Sequence, residues 1–157
     1  MQESSKNNAV EQIIDRFNKY SDWEDRYREL IKTGKSLTDL DESQKIDKFK
    51  VRGCQSQVWL VPELKDGKVL FKADSDAVLV KGIVALLVEA YSGLTPEEIT
   101  AQDTGFLKEI GITDHLSMNR TNGLANMVKQ IKMYAMAFQS LVAKGISLRI
   151  VRVLLEI

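Results

Sequence analysis

With 157 residues, 44% hydrophobic and 28% charged, the chain has the make-up of one soluble globular domain, long enough for a continuous core. Its 22 basic and 22 acidic residues cancel, which removes the general electrostatic case for nucleic acid or an anionic membrane and leaves any partner to be recognised by a local patch. One cysteine, Cys54, and one histidine, His115, exclude an internal disulfide and supply no ligand set for zinc or an iron–sulfur cluster, so no resident metal or cofactor is expected.

Residues 1–8 are polar and lack a signal-peptide core. The longest apolar run, residues 83–88, is far short of the roughly 20 residues that span a membrane, so the expected compartment is the reducing cytoplasm. Ala9, Val10, Ile13, Ile14 and Phe17 recur at helical spacing, and the pattern resumes after Tyr20-Ser21 with Trp23, Tyr27, Leu30 and Ile31. Ser21 with Glu24 fits a capping box for this second helix, and Gly34 is read as its end. Trp23 and Tyr27 belong to an aromatic stripe of core type and receive no functional role. Residues 39–48 are a charged connector with a helical turn starting at Asp41.

Residues 58–64 and 69–73 are rich in strand formers and flank Lys65-Asp66-Gly67-Lys68, in which Asp-Gly is the preferred pair for a two-residue type I′ turn. That turn sets the register of an antiparallel hairpin. Lys65 faces Lys68, Trp59 faces Asp74 and Gln57 faces Asp76, which brings Asp74-Ser75-Asp76 beside the loop that carries Cys54. Residues 77–91 are apolar nearly all round and read as a buried helix with Ser75 or Asp76 as N-cap. Lys81 and Glu89, eight positions apart, fall on one side of it. The helix would aim the positive end of its dipole at Cys54 and favour a thiolate.

Gly93 closes that helix, and Thr95-Pro96-Glu97-Glu98 opens the next with cap, first-turn proline and capping box. A short helical piece over 104–110 ends at Gly111. Ser117 caps a long helix whose apolar face runs from Leu124 through Met127, Ile131 and Phe138 to Val142, over about 40 Å. Beyond Gly145 the residues fit neither period, and strand, helical extension and an added tail all stay open.

Cys54 follows Gly53 and Arg52 and precedes Gln55, Ser56 and Gln57. A lone cysteine is often a small buried hydrophobe, whereas this polar setting suits a reactive thiol. Both readings are open on the residues alone. The stretch V-x-G-C-x-S-x-V-W, spanning Val51 to Trp59, resembles the signature of the SufE family, either SufE itself or a close paralogue such as CsdE. Two further blocks, Asp74-Ser75-Asp76-Ala77-Val78-Leu79-Val80-Lys81-Gly82 and Ser117-Met118-Asn119-Arg120-Thr121-Asn122-Gly123-Leu124, agree with that family in order and spacing.

The resemblance covers about residues 8–142 of one domain spanning 1–157, leaves 145–157 unassigned, and implies an α+β fold with a small antiparallel sheet covered by helices. It also implies a function. A pyridoxal-phosphate cysteine desulfurase (SufS-like) would pass persulfide sulfur to Cys54 and be stimulated by doing so, and the sulfur would move on to an iron–sulfur scaffold complex (SufBCD-like). That makes the chain a sulfur carrier rather than a stand-alone enzyme, with no nucleic-acid or membrane partner and with a homodimer left open.

Arg120 would stabilise the anionic sulfur or contact the desulfurase. Asp74 and Asp76 are expected to serve as caps and loop anchors, Lys81 to pair with Glu89 or a loop carboxylate, and Ser56 to form a turn. Trp59 is a core or interface aromatic, and Asn122-Gly123 a packing feature. Two rivals are a docking-only activator in which Cys54 is structural, and a cysteine hydrolase with Cys54 as nucleophile and His115 as base.

Overall fold

A computed structural model describes residues 4–144. Its elements in chain order are α1 (Ser4–Asn18), α2 (Trp23–Lys35), β1 (Val58–Lys65), β2 (Lys68–Ser75), α3 (Val78–Tyr91), α4 (Pro96–Ala101), α5 (Gly105–Glu109) and α6 (Met118–Ala143). This is the expected α+β class. The two antiparallel strands carry the anticipated register, with Lys65 opposite Lys68 and Trp59 opposite Asp74. Asp66 (φ 52°) and Gly67 (φ 79°) both adopt the left-handed conformation that the type I′ turn requires. Outside the hairpin, Val51 donates its amide to the Val58 carbonyl (2.8 Å) and Val69 donates to Leu94 (2.8 Å), so both outer edges are covered by loop backbone.

Helix α3 lies at the centre. Its residues Leu79, Val80, Ile83, Val84, Leu86 and Leu87 are all buried, as an all-round apolar helix must be. It packs on β2 and α2, and α1 and α6 also touch it. The contact with α2 is made through glycine. A Cβ on Gly34 would lie 2.8 Å from the Gly82 amide nitrogen, and one on Gly82 would run into the Leu30 carbonyl oxygen. Gly34 is therefore not the stop expected for α2, which continues to Lys35. It is one half of a close helix crossing.

The cap of α2 also moves by one residue. Asp22, rather than Ser21, is the N-cap and accepts the Glu24 amide at 2.6 Å. Where α1, α2 and α3 meet, Arg16 makes a two-pronged pair with Glu89 (2.8 Å each) and reaches Glu29 at 3.1 Å. Glu29 is 7% exposed, so Arg16 is the cation that makes its burial tolerable.

The 3-10 turn Glu42–Gln44 follows the Asp41 cap as expected. At α4 Thr95 and Glu98 form the full capping box, and at α6 the Ser117 hydroxyl accepts the Arg120 amide. No helix among the described residues is long and apolar enough to cross a membrane. Residues 145–157, left unassigned from sequence, lie outside the described part of the chain.

Candidate functional site

The loop between Val51 and Val58 is pinned at both ends. Val51 hydrogen-bonds to Val58, and the Asp76 carboxylate accepts the Gln57 amide at 3.0 Å while the Asp76 amide donates to the Gln57 carbonyl at 3.3 Å. Asp76 is thus a loop anchor, committed to Gln57. The N-cap of α3 is Ala77, with no side-chain cap, in place of the expected Ser75 or Asp76. Ser75 still contributes, its hydroxyl accepting the Ala77 amide at 3.3 Å.

Between these pins Gly53 turns the chain at φ 85°. A side chain here would meet the amide group of Asn126 on α6, a residue that sequence reasoning overlooked and that packs against the bend. The turn lays Cys54, half-buried, into a small pocket lined by Val80 and Ile83 of α3 and by Asn119, Arg120, Gly123 and Met127 of α6. The thiol donates a weak hydrogen bond to the Gly123 carbonyl at 3.7 Å. Glycine at position 123 lets the sulfur come this close without displacement, since a Cβ there would stand 3.3 Å from it, tighter than most side-chain contacts. The Asn122-Gly123 packing feature is therefore, at Gly123, part of the sulfur's own contact surface.

Arg120 lines the same pocket from an exposed position. The structure thus brings together the two site residues named from sequence, 66 positions apart. The expected electrostatics are reversed, however. Burial pushes the Cys54 thiol up from its ordinary value. From α3 the pocket is lined by Val80 and Ile83, in the first two turns of that helix. At rest Cys54 is a protected thiol.

His115 does not join the site. Its ring stacks on Trp23 (centroids 4.1 Å apart, 9° between planes) and its Nδ1 lies 2.8 Å from the Gly111 carbonyl oxygen. A Cys–His hydrolase loses its base. Among the described residues, no group of three or more His, Cys, Asp or Glu is arranged to hold a metal ion.

Beside the loop, Lys81 pairs with a loop-side carboxylate, Asp74 (3.3 Å), and Lys45 reaches the same carboxylate at 3.1 Å while lying over the Trp59 ring. Trp59 itself packs on Leu40, Phe49 and Val61. Burial alone would raise the Asp74 carboxyl, but the Ser75 amide and the two lysines outweigh it and hold the carboxyl below its usual range. A lowered carboxyl stabilises the fold above about pH 4 and loses that effect as pH falls through its own value. Asp74→Asn is therefore expected to cost roughly 1 kcal/mol at neutral pH. The difference from wild type should shrink toward zero as pH falls through the carboxyl's own lowered value, as read by urea denaturation at neutral and at acid pH.

Comparison with known proteins gives a consistent answer. The family model described as "SufE: Fe-S metabolism associated domain" matches residues 11–135. An uncharacterised SufE-like protein of Synechocystis is 43% identical over 127 residues, covering 81% of this chain and 80% of the relative. Those of Rhizobium etli and Rhizobium meliloti are 43% and 41% identical over 129 residues, covering 79% of this chain and 87% and 92% of their own lengths. The solution structure of a hypothetical protein from Thermus thermophilus matches with a TM-score of 0.71, covering 84% of this chain and 96% of that one. Its identity is 19%, and the likeness is one of fold.

Proposed function

The chain belongs to the SufE family, whose role lies in iron–sulfur metabolism, and from that premise we propose that Cys54 accepts sulfane sulfur from a cysteine desulfurase and passes it to an iron–sulfur scaffold. The observation that carries this reading is the single thiol of the chain, held on a glycine-hinged loop in a pocket that also contains Arg120.

The chemistry balances as a thiol exchange. Cys54 gives its proton to solvent, and the thiolate attacks the outer sulfur of the desulfurase persulfide. A new S–S bond forms at Cys54 while the donor's S–S bond breaks, and its electron pair leaves on the desulfurase cysteine as a thiolate. No electron is gained or lost overall. The guanidinium of Arg120 favours the anionic sulfur before and after transfer. Relieving the desulfurase of its persulfide frees its cysteine for another turnover, which is the physical basis for stimulation.

Handing sulfur on without losing it sets two requirements. No second cysteine exists to convert the persulfide into a disulfide and expel sulfide. The half-buried resting position limits attack by stray oxidants, and a reducing cytoplasm suits a free thiol. The unit assigned to this work is the whole chain, as one domain.

The test is intact mass of the protein after incubation with a cysteine desulfurase and free cysteine. A gain of one sulfur atom that a reductant removes, with faster cysteine turnover, supports the relay. No gain beside a fully active panel of cysteine desulfurases would overturn it.

A further inference from the structure

The lining of the Cys54 pocket changes character from floor to mouth. Val80, Ile83, Met127 and Gly123 are buried and, apart from the Gly123 carbonyl, apolar. Asn119 and Arg120 line the same pocket from exposed positions. The resting thiol is fastened at the floor, through its weak bond to the Gly123 carbonyl at 3.7 Å. The pocket offers about 60 Å³ of space, several times what a water-sized group takes up, so a second sulfur bonded to Sγ has room between these walls.

Loading changes what can hold the sulfur. The inner sulfur of a persulfide has no proton to give, so the Gly123 carbonyl loses its donor. The outer sulfur is an anion at neutral pH, because a persulfide is a stronger acid than a thiol, and it needs donors. Gln55 and Ser56 also line the pocket and can donate, but they ride on the loop with Cys54 and tie it to nothing else. Asn119 and Arg120 belong to the first turn of α6. On that turn the hydroxyls of Ser117 and Thr121 are taken up by the helix itself.

We propose that the Asn119 carboxamide is the neutral donor that, beside Arg120, holds the outer sulfur of loaded Cys54 at the pocket mouth and so ties the loaded loop to α6. The proposal rests on the reading of Cys54 as the sulfur acceptor and adds the residue that retains the cargo. Arg120 supplies a charge that favours any anionic sulfur, whereas the Asn119 N–H is a directed donor that fixes where the outer atom lies. Held there, the atom to be handed on faces outward and the carbon-bound sulfur stays against the apolar floor.

The experiment loads Cys54 chemically, with inorganic polysulfide and without a desulfurase. The Cys54 thiolate attacks one sulfur of the polysulfide, an S–S bond forms at Cys54, and the remaining polysulfide leaves one sulfur shorter with the electron pair of the broken bond. The near-ultraviolet absorbance of the persulfide anion is then titrated in the intact protein from about pH 4 to about pH 10, beside the thiolate absorbance of the unloaded protein. The variants are Asn119→Ala and, as control, Asn122→Ala, which is exposed on the same helix and outside the pocket lining. Among the other charged groups near the loop, Arg52, Lys81 paired with Asp74, and Asp76 bonded to Gln57 are common to all three proteins.

A donor to the anion strengthens the persulfide as an acid. In Asn119→Ala the persulfide acid constant is expected to fall about tenfold, the size of one hydrogen bond to a charged partner, and the absorbance midpoint to rise by about one pH unit. The unloaded thiol, fastened at the floor, should change less than about twofold, and Asn122→Ala should move neither. An unchanged persulfide midpoint in Asn119→Ala would overturn the proposal, and so would an equal shift of the unloaded thiol, which would mark a general change of field rather than a contact with the outer sulfur. Failure here is distinct from failure of sulfur acceptance, which the mass gain with a desulfurase scores by itself.

Discussion

Cys54→Ser is expected to gain no sulfur from any desulfurase, while its unfolding free energy stays within about 1 kcal/mol of wild type. The two halves of that result come from different parts of the site. A serine hydroxyl is not ionised at neutral pH and forms no stable bond to sulfane sulfur, so the reductant-labile mass increment should fall to nothing. The same hydroxyl can still donate to the Gly123 carbonyl, and Val80, Ile83 and Met127 keep a neutral side chain of nearly the same size against them. Fold and loop should therefore persist. Desulfurase turnover separates the relay from docking alone. In a relay the Cys54→Ser protein leaves the desulfurase persulfide in place and gives no stimulation, whereas wild-type stimulation by this variant would mean that Cys54 is structural and that contact alone activates the partner.

The parts of the fold that could be read in the sequence are those fixed by short-range chemistry. Asp66-Gly67 allows one tight turn, and that turn sets every pair along β1 and β2 out to Trp59 and Asp74. Thr95 and Glu98 cap α4 through contacts three residues apart, and Ser117 does the same for α6. Where two candidates competed locally, the outcome turned on the surroundings. Asp76 is a good cap by type, but the Gln57 amide claims its carboxylate across the loop, and α3 begins without a side-chain cap.

The readings that changed all depend on contacts between distant segments. Gly34 resembles a helix terminator until α3 is laid across it. One helix dipole read by itself points to a lowered Cys54 thiol, whereas burial pushes it up, in a pocket that has α6 as a wall, 69 positions along the chain. Gly123 stood in a quoted block but without its role, and Asn126 lay outside every block. Their importance comes from facing Cys54 and Gly53, which no periodicity reveals. His115 was an equally fair partner for Cys54 by type, and only its stacking on Trp23 removes it.

Gly82→Ala supplies the sharpest test of this crossing, because two effects of opposite sign meet at one methyl group. In the middle of an unobstructed helix, alanine in place of glycine stabilises by about 1 kcal/mol, through the smaller conformational entropy of the unfolded chain. At position 82 the added Cβ would run into the Leu30 carbonyl oxygen and stand 2.9 Å from both the Leu30 carbonyl carbon and Cγ. Two of those three atoms are backbone of α2 and cannot rotate away. Relief requires the helices to part, and α2 also carries Glu29 to its pairing with Arg16, which is fixed in turn to Glu89 of α3. Overpacking of this kind costs typically 1–3 kcal/mol and occasionally more. With the backbone involved, the net change is expected to be a loss of at least about 2 kcal/mol, measured by denaturant unfolding. Gly34→Ala should act in the same direction, since its Cβ would lie 2.8 Å from the Gly82 amide nitrogen. The double variant should cost less than the sum, because once the helices have separated for one methyl group the second finds room already made. A stabilised Gly82→Ala would mean that α2 and α3 do not meet at these glycines. Val80 and Ile83 flank Gly82 on α3, so the crossing also sets the wall against which Cys54 rests, and a shift there should loosen the loop as well as the fold.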